Sequence, residues 1–309
     1  MITSIFKKST PINYSLIGIL VVLFFFLYQF QAATVVLSAK ELIIKIGILA
    51  LLFSSLFLSN FIVKKNGLTK DSSYTVLFYL VFSLFFPNIF NNINLLLANF
   101  FILLAMRRLV SLQTLKAPKE KIFDAALWIF VASLFQFWCV IFIILVYISI
   151  VFHVSRDYRN WLIPFVALFT TAVIFIFYSL LFDNSAIVNY LASEKMSFEL
   201  DYFTNKYQNI AFSIYAVFVV FFLFPSIFSL TNKPLNLQAS YKKVIFAVLL
   251  GIIIFMISSN KSSELLVFTI LPMAIMATNT VEHLQNKIQQ EIILFVSIAC
   301  GIFCFFSQL

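Results

Sequence analysis

Charged residues are scarce in this chain. Asp, Glu, Lys and Arg make up 11% of its 309 residues, whereas a soluble domain has about a quarter. Hydrophobic residues make up 62%, and the mean hydropathy is +1.04. No polar block is long enough for a separate soluble domain, so we expect one membrane-embedded, all-α domain over residues 1–309.

Residues that carry familiar catalytic motifs are also few. The chain has two histidines and three cysteines, and it contains no Walker loop, GxSxG, HExxH or CxxC sequence. These absences exclude powering by a nucleotide bound to this chain and a metal site built from four histidines. The three cysteines lie in apolar runs, and we interpret them as small core residues. We therefore expect no metal and no cofactor.

Phenylalanine is abundant instead, with 41 copies. Phe is an ordinary lipid-facing residue in membrane helices. We therefore interpret these residues as lipid-facing and expect them to mark no site.

The apolar runs predict a polytopic helical membrane protein. A helix needs about 20 residues to cross the roughly 30 Å of hydrocarbon. This length criterion gives about 11 spans. We expect a hinge at Thr231–Lys243 between two sub-blocks, 1–230 and 244–309. The predicted spans are Tyr14–Ala32, Ile46–Val63, Tyr74–Phe90, Asn94–Met106, Phe123–Phe137, Trp138–His153, Trp161–Phe182, Ile210–Leu230, Tyr241–Ile257, Leu265–Val281 and Glu291–Gln308.

The charges predict how these spans are arranged. If the N-terminus is cytoplasmic, sixteen of the 21 Lys and Arg residues fall in cytoplasmic connections, and no arginine falls outside. Cytoplasmic connections carry the excess of Lys and Arg in membrane proteins, so we predict this orientation in a bacterial inner membrane. The net charge of +9 is explained in the same way, and we expect no nucleic-acid partner.

The first span has an alternative interpretation as a signal peptide, because basic residues precede the apolar run and small residues follow it. The run from Tyr14 to Phe30 is longer than the usual apolar region of a signal peptide. We interpret it as an uncleaved span.

The longest polar segment, residues 183–209, falls on the outer side and carries the first candidate catalytic residues. Glu199 and Asp201 alternate with apolar residues and would share one face of an extended segment. A carboxylate there could act as a general base for a lipid-phosphate donor. A solvated connector that caps the bundle is the alternative. The outer carboxylates are Glu41, Asp183, Glu194, Glu199, Asp201 and Glu264.

A group of amide side chains predicts a substrate-binding site. Amides at membrane depth must face protein or a water-filled cavity, where they could bind sugar hydroxyls. A tight Asn-rich hairpin explains the same residues. Within the fifth span, an interhelical hydrogen bond is the alternative role for the glutamine. The candidates are Asn88, Asn91, Asn92, Asn94 and Gln136.

Basic residues on the inner side form a juxtamembrane stretch. Arg107 and Arg108 end the fourth span, and Lys116 follows eight residues later. Such a stretch suits anionic lipid headgroups, so we name these three residues as candidate headgroup ligands and expect membrane lipids as partners. Membrane topology accounts for the same charges.

The runs LLANFFILLAMRRLVSLQ and FDAALWIFVASLFQFWCVIFIILVYISIVFHVSRDYRNWLIPF carry a resemblance. Together they cover about Leu95–Phe165. They resemble an uncharacterised family of bacterial multi-pass inner-membrane proteins and, more distantly, the membrane C-type-fold glycosyltransferases that use lipid-linked sugars. The second resemblance implies a polyprenyl-phosphate-linked sugar as a partner. It also implies a catalytic acid in the first outer loop, which here is Glu41.

Three hypotheses for the function remain. The chain could transfer a sugar from a polyprenyl-phosphate donor at the outer face, with Glu41, Glu199 or Asp201 as the base. It could instead be a transporter or flippase for an envelope lipid or solute, with prolines that break helices around a polar path. It could also be a non-catalytic subunit of an envelope assembly. The prolines in question are Pro87, Pro164, Pro225 and Pro272.

Overall fold

The computed structural model describes residues 2–32, 39–182, 185, 187, 188, 190, 205–258 and 261–309, and this part of the chain is helical. Its α-helices are α1 (Ile2–Phe6), α2 (Pro11–Ala32), α3 (Ala39–Asn66), α4 (Tyr74–Ser83), α5 (Ile93–Ser111), α6 (Pro118–Phe135), α7 (Ile143–His153), α8 (Arg159–Phe182), α9 (Lys206–Phe228), α10 (Leu235–Ile257), α11 (Val267–His283) and α12 (Lys287–Gln308). Short 3₁₀ helices lie at Pro87–Asn91, Leu112–Thr114, Phe137–Phe142, Ser229–Asn232 and Ser263–Leu266.

The prediction of a multi-pass helical membrane protein is confirmed. Eight helical segments of the described chain are long and apolar enough to cross a membrane. They are Pro11–Gln31, Ala39–Asn66, Ile93–Thr114, Arg159–Phe182, Lys206–Asn232, Leu235–Ile257, Ser263–His283 and Lys287–Gln308.

The count of about 11 spans stays a prediction. Its three further spans fall on α4, on α6 and on the helical segment Phe137–His153. The apolar helices at α4 and Phe137–His153 are short, and α6 carries charged residues in its first two turns.

Helices α4 and α11 form the centre of the bundle. All ten residues of α4 are buried, and 89% of the α11 span is buried. A largely apolar helix is stable in a protein core or in lipid, and α4 lies in the core, where its Tyr79 OH accepts from Asn99 Nδ2 at 3.1 Å. Helix α11 carries polar residues, and these find partners in the core: Thr278 and Thr75 of α4 lie within hydrogen-bond distance, at 3.1 Å.

The interpretation of the phenylalanines as lipid-facing is wrong for one group of them. Phe82, Phe85 and Phe86, at the end of α4 and just after it, pack against Tyr215 and Phe218 of α9. The ring centroids of Phe86 and Tyr215 are 5.0 Å apart at an interplanar angle of 72°. Edge-to-face pairs of this kind add to the stability that comes from burial, so this cluster fixes α9 against the core.

A close helix crossing joins α10 to the start of α11. A Cβ atom at Gly251 would lie 2.5 Å from Cγ2 of Thr269. The Thr269 hydroxyl also lies 2.7 Å from the Tyr215 hydroxyl. Glycine at residue 251 therefore lets three helices meet around one buried pair of hydroxyl groups.

Polar contacts collect the predicted cytoplasmic connections at one end of the bundle, which we call the inner end. They join side chains from segments that are far apart in the chain. These contacts are Thr3 Oγ1 to Glu291 Oε1 (2.7 Å), Asn13 Nδ2 to Ser73 Oγ (3.2 Å), Lys70 N to Glu282 Oε2 (2.8 Å), Ser240 Oγ to Gln113 Oε1 (2.9 Å) and Lys119 Nζ to Asp157 Oδ2 (3.2 Å).

The predicted outer residues meet at the opposite end, the outer end. Gln31 Nε2 donates to the Leu309 carbonyl at 2.7 Å, and Tyr190 lies beside Ser133. Residues predicted to lie on the same side of the membrane therefore lie at the same end of the bundle. The assignment of the inner end to the cytoplasm stays a prediction.

The two predicted sub-blocks share one core. Residues of 1–230 and of 244–309 belong to a single hydrophobic cluster. The predicted hinge segment also contacts α11, since Lys233 Nζ donates to Asn279 Oδ1 at 3.1 Å and lies 4.6 Å from the centroid of the Tyr241 ring.

The prolines do not break helices as expected for a transporter. Pro164, Pro225 and Pro272 lie inside the continuous helices α8, α9 and α11. Only Pro87 of the four lies at a helix boundary, where it begins the 3₁₀ helix after α4.

Candidate functional site at the outer end

The Asn-rich segment forms the turn between α4 and α5. Pro87 begins a 3₁₀ helix, and Asn92 then adopts an extended backbone conformation as the N-cap of α5. The Asn92 side-chain oxygen accepts a hydrogen bond from Leu95 N at 3.1 Å. Asn is among the best N-cap residues because its side chain satisfies one of the free N–H groups at the start of the helix. We call residues 86–92 the Asn turn.

The Asn turn holds a carboxylate. Asn92 Nδ2 donates to Glu264 Oε2 at 3.0 Å, while the Asn92 oxygen caps α5. Glu264 lies in the 3₁₀ helix that leads into α11 and is partly buried. Within the described part of the chain, Glu264 Oε1 has no hydrogen-bond donor. One carboxylate oxygen is therefore fixed by the protein.

Helix α2 completes this site. Tyr28 OH donates to Asn88 Oδ1 at 3.3 Å, and Gln29 Nε2 donates to the Phe90 carbonyl at 2.9 Å. Tyr28 also lies within electrostatic range of the Glu264 carboxylate. Residues from α2, the Asn turn and the start of α11 therefore hold one polar site in place, and we call it the outer site.

An apolar groove between α2 and α3 adjoins the outer site. It has a volume of about 310 Å³, at the lower end of the range for ligand sites, and Gln29 belongs to both the groove and the site. Lys45 supplies its positive charge. The groove is lined by Phe25, Phe26, Gln29, Phe30, Leu42, Lys45, Ile46 and Leu49.

Of the predicted catalytic acids, the structure describes Glu41. Glu41 is exposed in the first turn of α3, where the positive end of the helix dipole favours a carboxylate. The acid that contacts the Asn turn is Glu264, so the structure does not bring Glu41 into the turn. Glu199 and Asp201 lie outside the described residues.

The predicted substrate-binding amides separate into two groups. Asn88 and Asn92 meet in the outer site, and Asn91 and Asn94 are exposed beside it. Gln136 lies between two helical segments and not within one. Gln136 has an extended backbone at the end of α6, and its carbonyl accepts from Cys139 N at 3.0 Å.

The predicted headgroup residues lie at the inner end. Arg108 forms an ion pair with Asp124 at 2.8 Å. The Arg107 guanidinium lies 4.7 Å from the centroid of the Phe61 ring, and Lys116 is exposed. The three residues therefore have different surroundings, and only Arg108 among them is paired with a carboxylate in the described part of the chain.

Sequence reasoning did not select Glu264, Tyr28 or Gln29. A usable signal for Glu264 existed, because it directly precedes the span of lowest mean hydropathy, 1.6. A span with polar residues packs inside the bundle, and an acid at its entrance is therefore held against protein. We find no comparable sequence signal for Tyr28 or Gln29.

A second buried polar group lies at the inner end. Lys243 of α10 has 0% relative exposure, and its Nζ donates to the Leu109 carbonyl in the last turn of α5. His153 Nε2 lies 3.1 Å from the same nitrogen. A cation favours the C-terminal end of a helix, so Lys243 acts as a cap that joins α5, α7 and α10.

Outside the candidate spans, two charged groups at the inner end have shifted pKa values. The backbone N–H of Arg159, together with Lys119, holds the pKa of Asp157 below its usual range. Burial lowers the pKa of Lys233. In the described part of the chain, no group of three or more His, Cys, Asp or Glu residues could hold a metal ion.

Comparison with known proteins identifies a family but no activity. No curated protein and no solved structure matches the chain. The resemblance to glycosyltransferases that use lipid-linked sugars therefore stays a prediction. The match to a family of unknown function, DUF6427, extends over residues 1–309. The chain, which has a multi-pass helical fold, therefore belongs to the DUF6427 family.

Proposed function

We propose that this protein is a transferase of the bacterial inner membrane that moves a sugar from a polyprenyl-phosphate donor to an acceptor hydroxyl at the outer face. Glu264 acts as the general base in place of Glu41. The observation that carries the proposal is the partly buried Glu264 carboxylate, which the Asn92 amide holds through one oxygen.

The chemistry requires a base in a fixed position. Glu264 Oε1 accepts the proton of the acceptor hydroxyl as the hydroxyl oxygen bonds to the anomeric carbon of the sugar. The bond between that carbon and the donor phosphate oxygen breaks, and the phosphate leaves with its electron pair on the lipid. A positioned general base contributes about 10²–10⁴-fold to the rate of such a step.

The donor lipid lies in the groove between α2 and α3. Its apolar lining accepts a hydrocarbon chain, and Lys45 attracts the phosphate. Asn91 and Asn94 are exposed next to the outer site and offer amide groups to sugar hydroxyls.

The membrane topology belongs to the same proposal. We infer eleven crossings, with the inner end and the N-terminus in the cytoplasm. The support is that Asn13, near the N-terminus, contacts the inner end, whereas the C-terminal Leu309 contacts the outer end. An odd number of crossings joins the two ends, and the count of Lys and Arg favours a cytoplasmic inner end.

The geometry favours a transferase over a transporter. On α11, the most buried of the eight candidate spans, polar side chains lie towards the two ends, and Ile270–Ala277 between them is apolar. Eight helical residues span about 12 Å. The described core therefore has an apolar layer, and not a polar path, along its central helix. The three prolines inside unbroken helices are a second argument against a transporter with broken helices.

The test is complementation of cells that lack the protein with the wild type, Glu264→Gln or Glu264→Asp at equal membrane levels. We expect Glu264→Gln to leave the envelope glycan incomplete and to cause accumulation of a lipid-linked sugar on the outer leaflet, with partial rescue by Glu264→Asp. Wild-type glycan with Glu264→Gln would refute the role of Glu264. Accumulation on the inner leaflet instead would indicate a transporter.

A further inference from the structure

Two cations contact one aromatic ring at the inner end of the interface between α3 and α5. Lys65 Nζ lies 5.1 Å from the centroid of the Phe61 ring, and the Arg107 guanidinium lies 4.7 Å from the same centroid. The Phe61 side chain is 39% exposed, so this arrangement lies on the surface of the bundle. We call Phe61, Lys65 and Arg107 the cation seam.

Neighbouring cations are neutralised, and those of the seam are not. Lys64 pairs with Asp71 at 3.1 Å, and Arg108 pairs with Asp124 at 2.8 Å. Within the described part of the chain, neither Lys65 nor Arg107 has a carboxylate within ion-pair distance. Lys64 and Arg108, which are adjacent to the seam residues in the sequence, are therefore neutralised within the protein. The cation seam itself has an excess of positive charge.

Other positive charges lie close to the seam. Lys121 Nζ donates to the Ser111 carbonyl and to Thr114 Oγ1, both at 2.8 Å, and it lies within electrostatic range of Lys65 and Lys116. Like charges at this density repel one another unless an anion screens them. The surroundings therefore favour an anionic ligand at the seam.

We propose that the cation seam binds the phosphate of an anionic phospholipid headgroup in the membrane leaflet at the inner end. The planar fork of Arg107 is suited to two phosphate oxygens, and Lys65 supplies a second positive charge. Phe61 holds both cations in place and presents an apolar face to the acyl chains. This site is independent of Glu264 and of the proposed transfer reaction.

Topology alone explains a diffuse attraction between inner cations and anionic lipid, so the test needs a matched cation. Arg159 provides one, because it also lies at the inner end and its guanidinium is 6.0 Å from the centroid of the Tyr158 ring. It differs from the seam in its neighbour Asp157, whose carboxylate accepts from the Arg159 backbone N–H. Arg159→Gln therefore removes an inner arginine without touching the cation seam.

The experiment measures lipid binding to the full-length protein in nanodiscs. One set contains phosphatidylcholine alone, and the other contains equal parts of phosphatidylcholine and phosphatidylglycerol. Native mass spectrometry then counts the retained phosphatidylglycerol. Diffuse attraction contributes about 1 kcal/mol, or about 5-fold, for each Lys or Arg near the surface, so a specific site requires a larger loss. Arg107→Gln should weaken retention by more than about 10-fold, and Lys65→Gln with Arg107→Gln by more than about 30-fold. Arg159→Gln should weaken it by less than about 5-fold.

Three outcomes would overturn the proposal. In one, the double variant retains phosphatidylglycerol as well as the wild type does. In another, Arg159→Gln causes as large a loss as Arg107→Gln alone, which would mean diffuse attraction only. In the third, inorganic phosphate displaces the lipid completely, which would mean a site for a soluble anion. Equal melting temperatures of the variants in phosphatidylcholine alone check that both are folded.

Discussion

The inner and outer ends of the bundle hold polar residues in different ways. At the inner end, Glu282 uses both carboxylate oxygens, since Oε2 accepts from Lys70 N and Oε1 accepts from Ser72 Oγ at 2.6 Å. At the outer end, Glu264 uses one oxygen for Asn92. Glu264 lies in the 3₁₀ helix that leads into α11, and Glu282 lies in the last turn of α11, so one helical segment carries both kinds of site.

This difference distinguishes an acid that holds the structure together from the acid that we propose as the general base. The inner acid fastens the connection between α3 and α4 to α11, and its hydrogen-bonding capacity is used inside the protein. The outer acid is positioned by one hydrogen bond from the protein. In the proposed function its second oxygen accepts the proton of the acceptor hydroxyl, whereas both oxygens of Glu282 bind the protein.

The largest expected effect comes from exchanging the two acids for amides. Glu264→Gln should lower transfer activity by about 10²–10⁴-fold while the melting temperature stays near that of the wild type. Glu282→Gln should leave activity within about twofold, but it should destabilise the protein by about 1–3 kcal/mol because hydrogen bonds to a charged group are lost.

The measurements are complementation at equal expression for activity and thermal unfolding in detergent for stability. If both variants lose stability and activity in parallel, the distinction between the two ends is wrong. Asp71→Asn, which removes an exposed ion pair to Lys64, serves as a control and should change neither quantity much.

A smaller effect is expected for the packing below the outer site. Gly251→Ala places a methyl group 2.5 Å from Thr269 Cγ2 and displaces the hydroxyl that pairs with Tyr215. We expect a destabilisation of about 1–3 kcal/mol, measured by thermal unfolding. Gly47→Ala is the control, because its nearest atom, Ile93 Cδ1, lies at 3.7 Å. Equal stability of the two variants would contradict the close crossing of α10 and α11.

The smallest effect is expected at the inner end of α3. Gly67 has a φ of +63°, and Leu68 N donates to the Val63 carbonyl at 3.1 Å, which is a Schellman motif. The Leu68 carbonyl then accepts from Tyr241 OH. Gly67→Ala should destabilise the protein by about 1–2 kcal/mol through left-handed backbone strain, without loss of activity. Unfolding in denaturant measures this, and an unchanged midpoint would contradict the cap.

The positions of the spans could be predicted because apolar run length is a property of local sequence. Each predicted span overlaps a helix, although α4 ends at Ser83 and not at the predicted Phe90. The outer site could not be predicted in the same way. Asn92 and Glu264 are separated by 172 residues, and their contact depends on how α5 and α11 pack. The break between the fifth and sixth spans was predicted after Phe137 and lies at Gln136, because composition alone does not show the residue at which a helix ends.

The central claim is that the two ends of the bundle face opposite sides of the membrane, with the outer site outside. Labelling by a membrane-impermeant maleimide tests it most directly. In a chain with Cys139, Cys300 and Cys304 replaced by alanine, single cysteines are introduced by Asn94→Cys and Lys116→Cys, both at exposed positions. The account predicts that intact cells label Asn94→Cys and that Lys116→Cys is labelled only after permeabilisation. The reverse pattern, or equal labelling of both in intact cells, would contradict it.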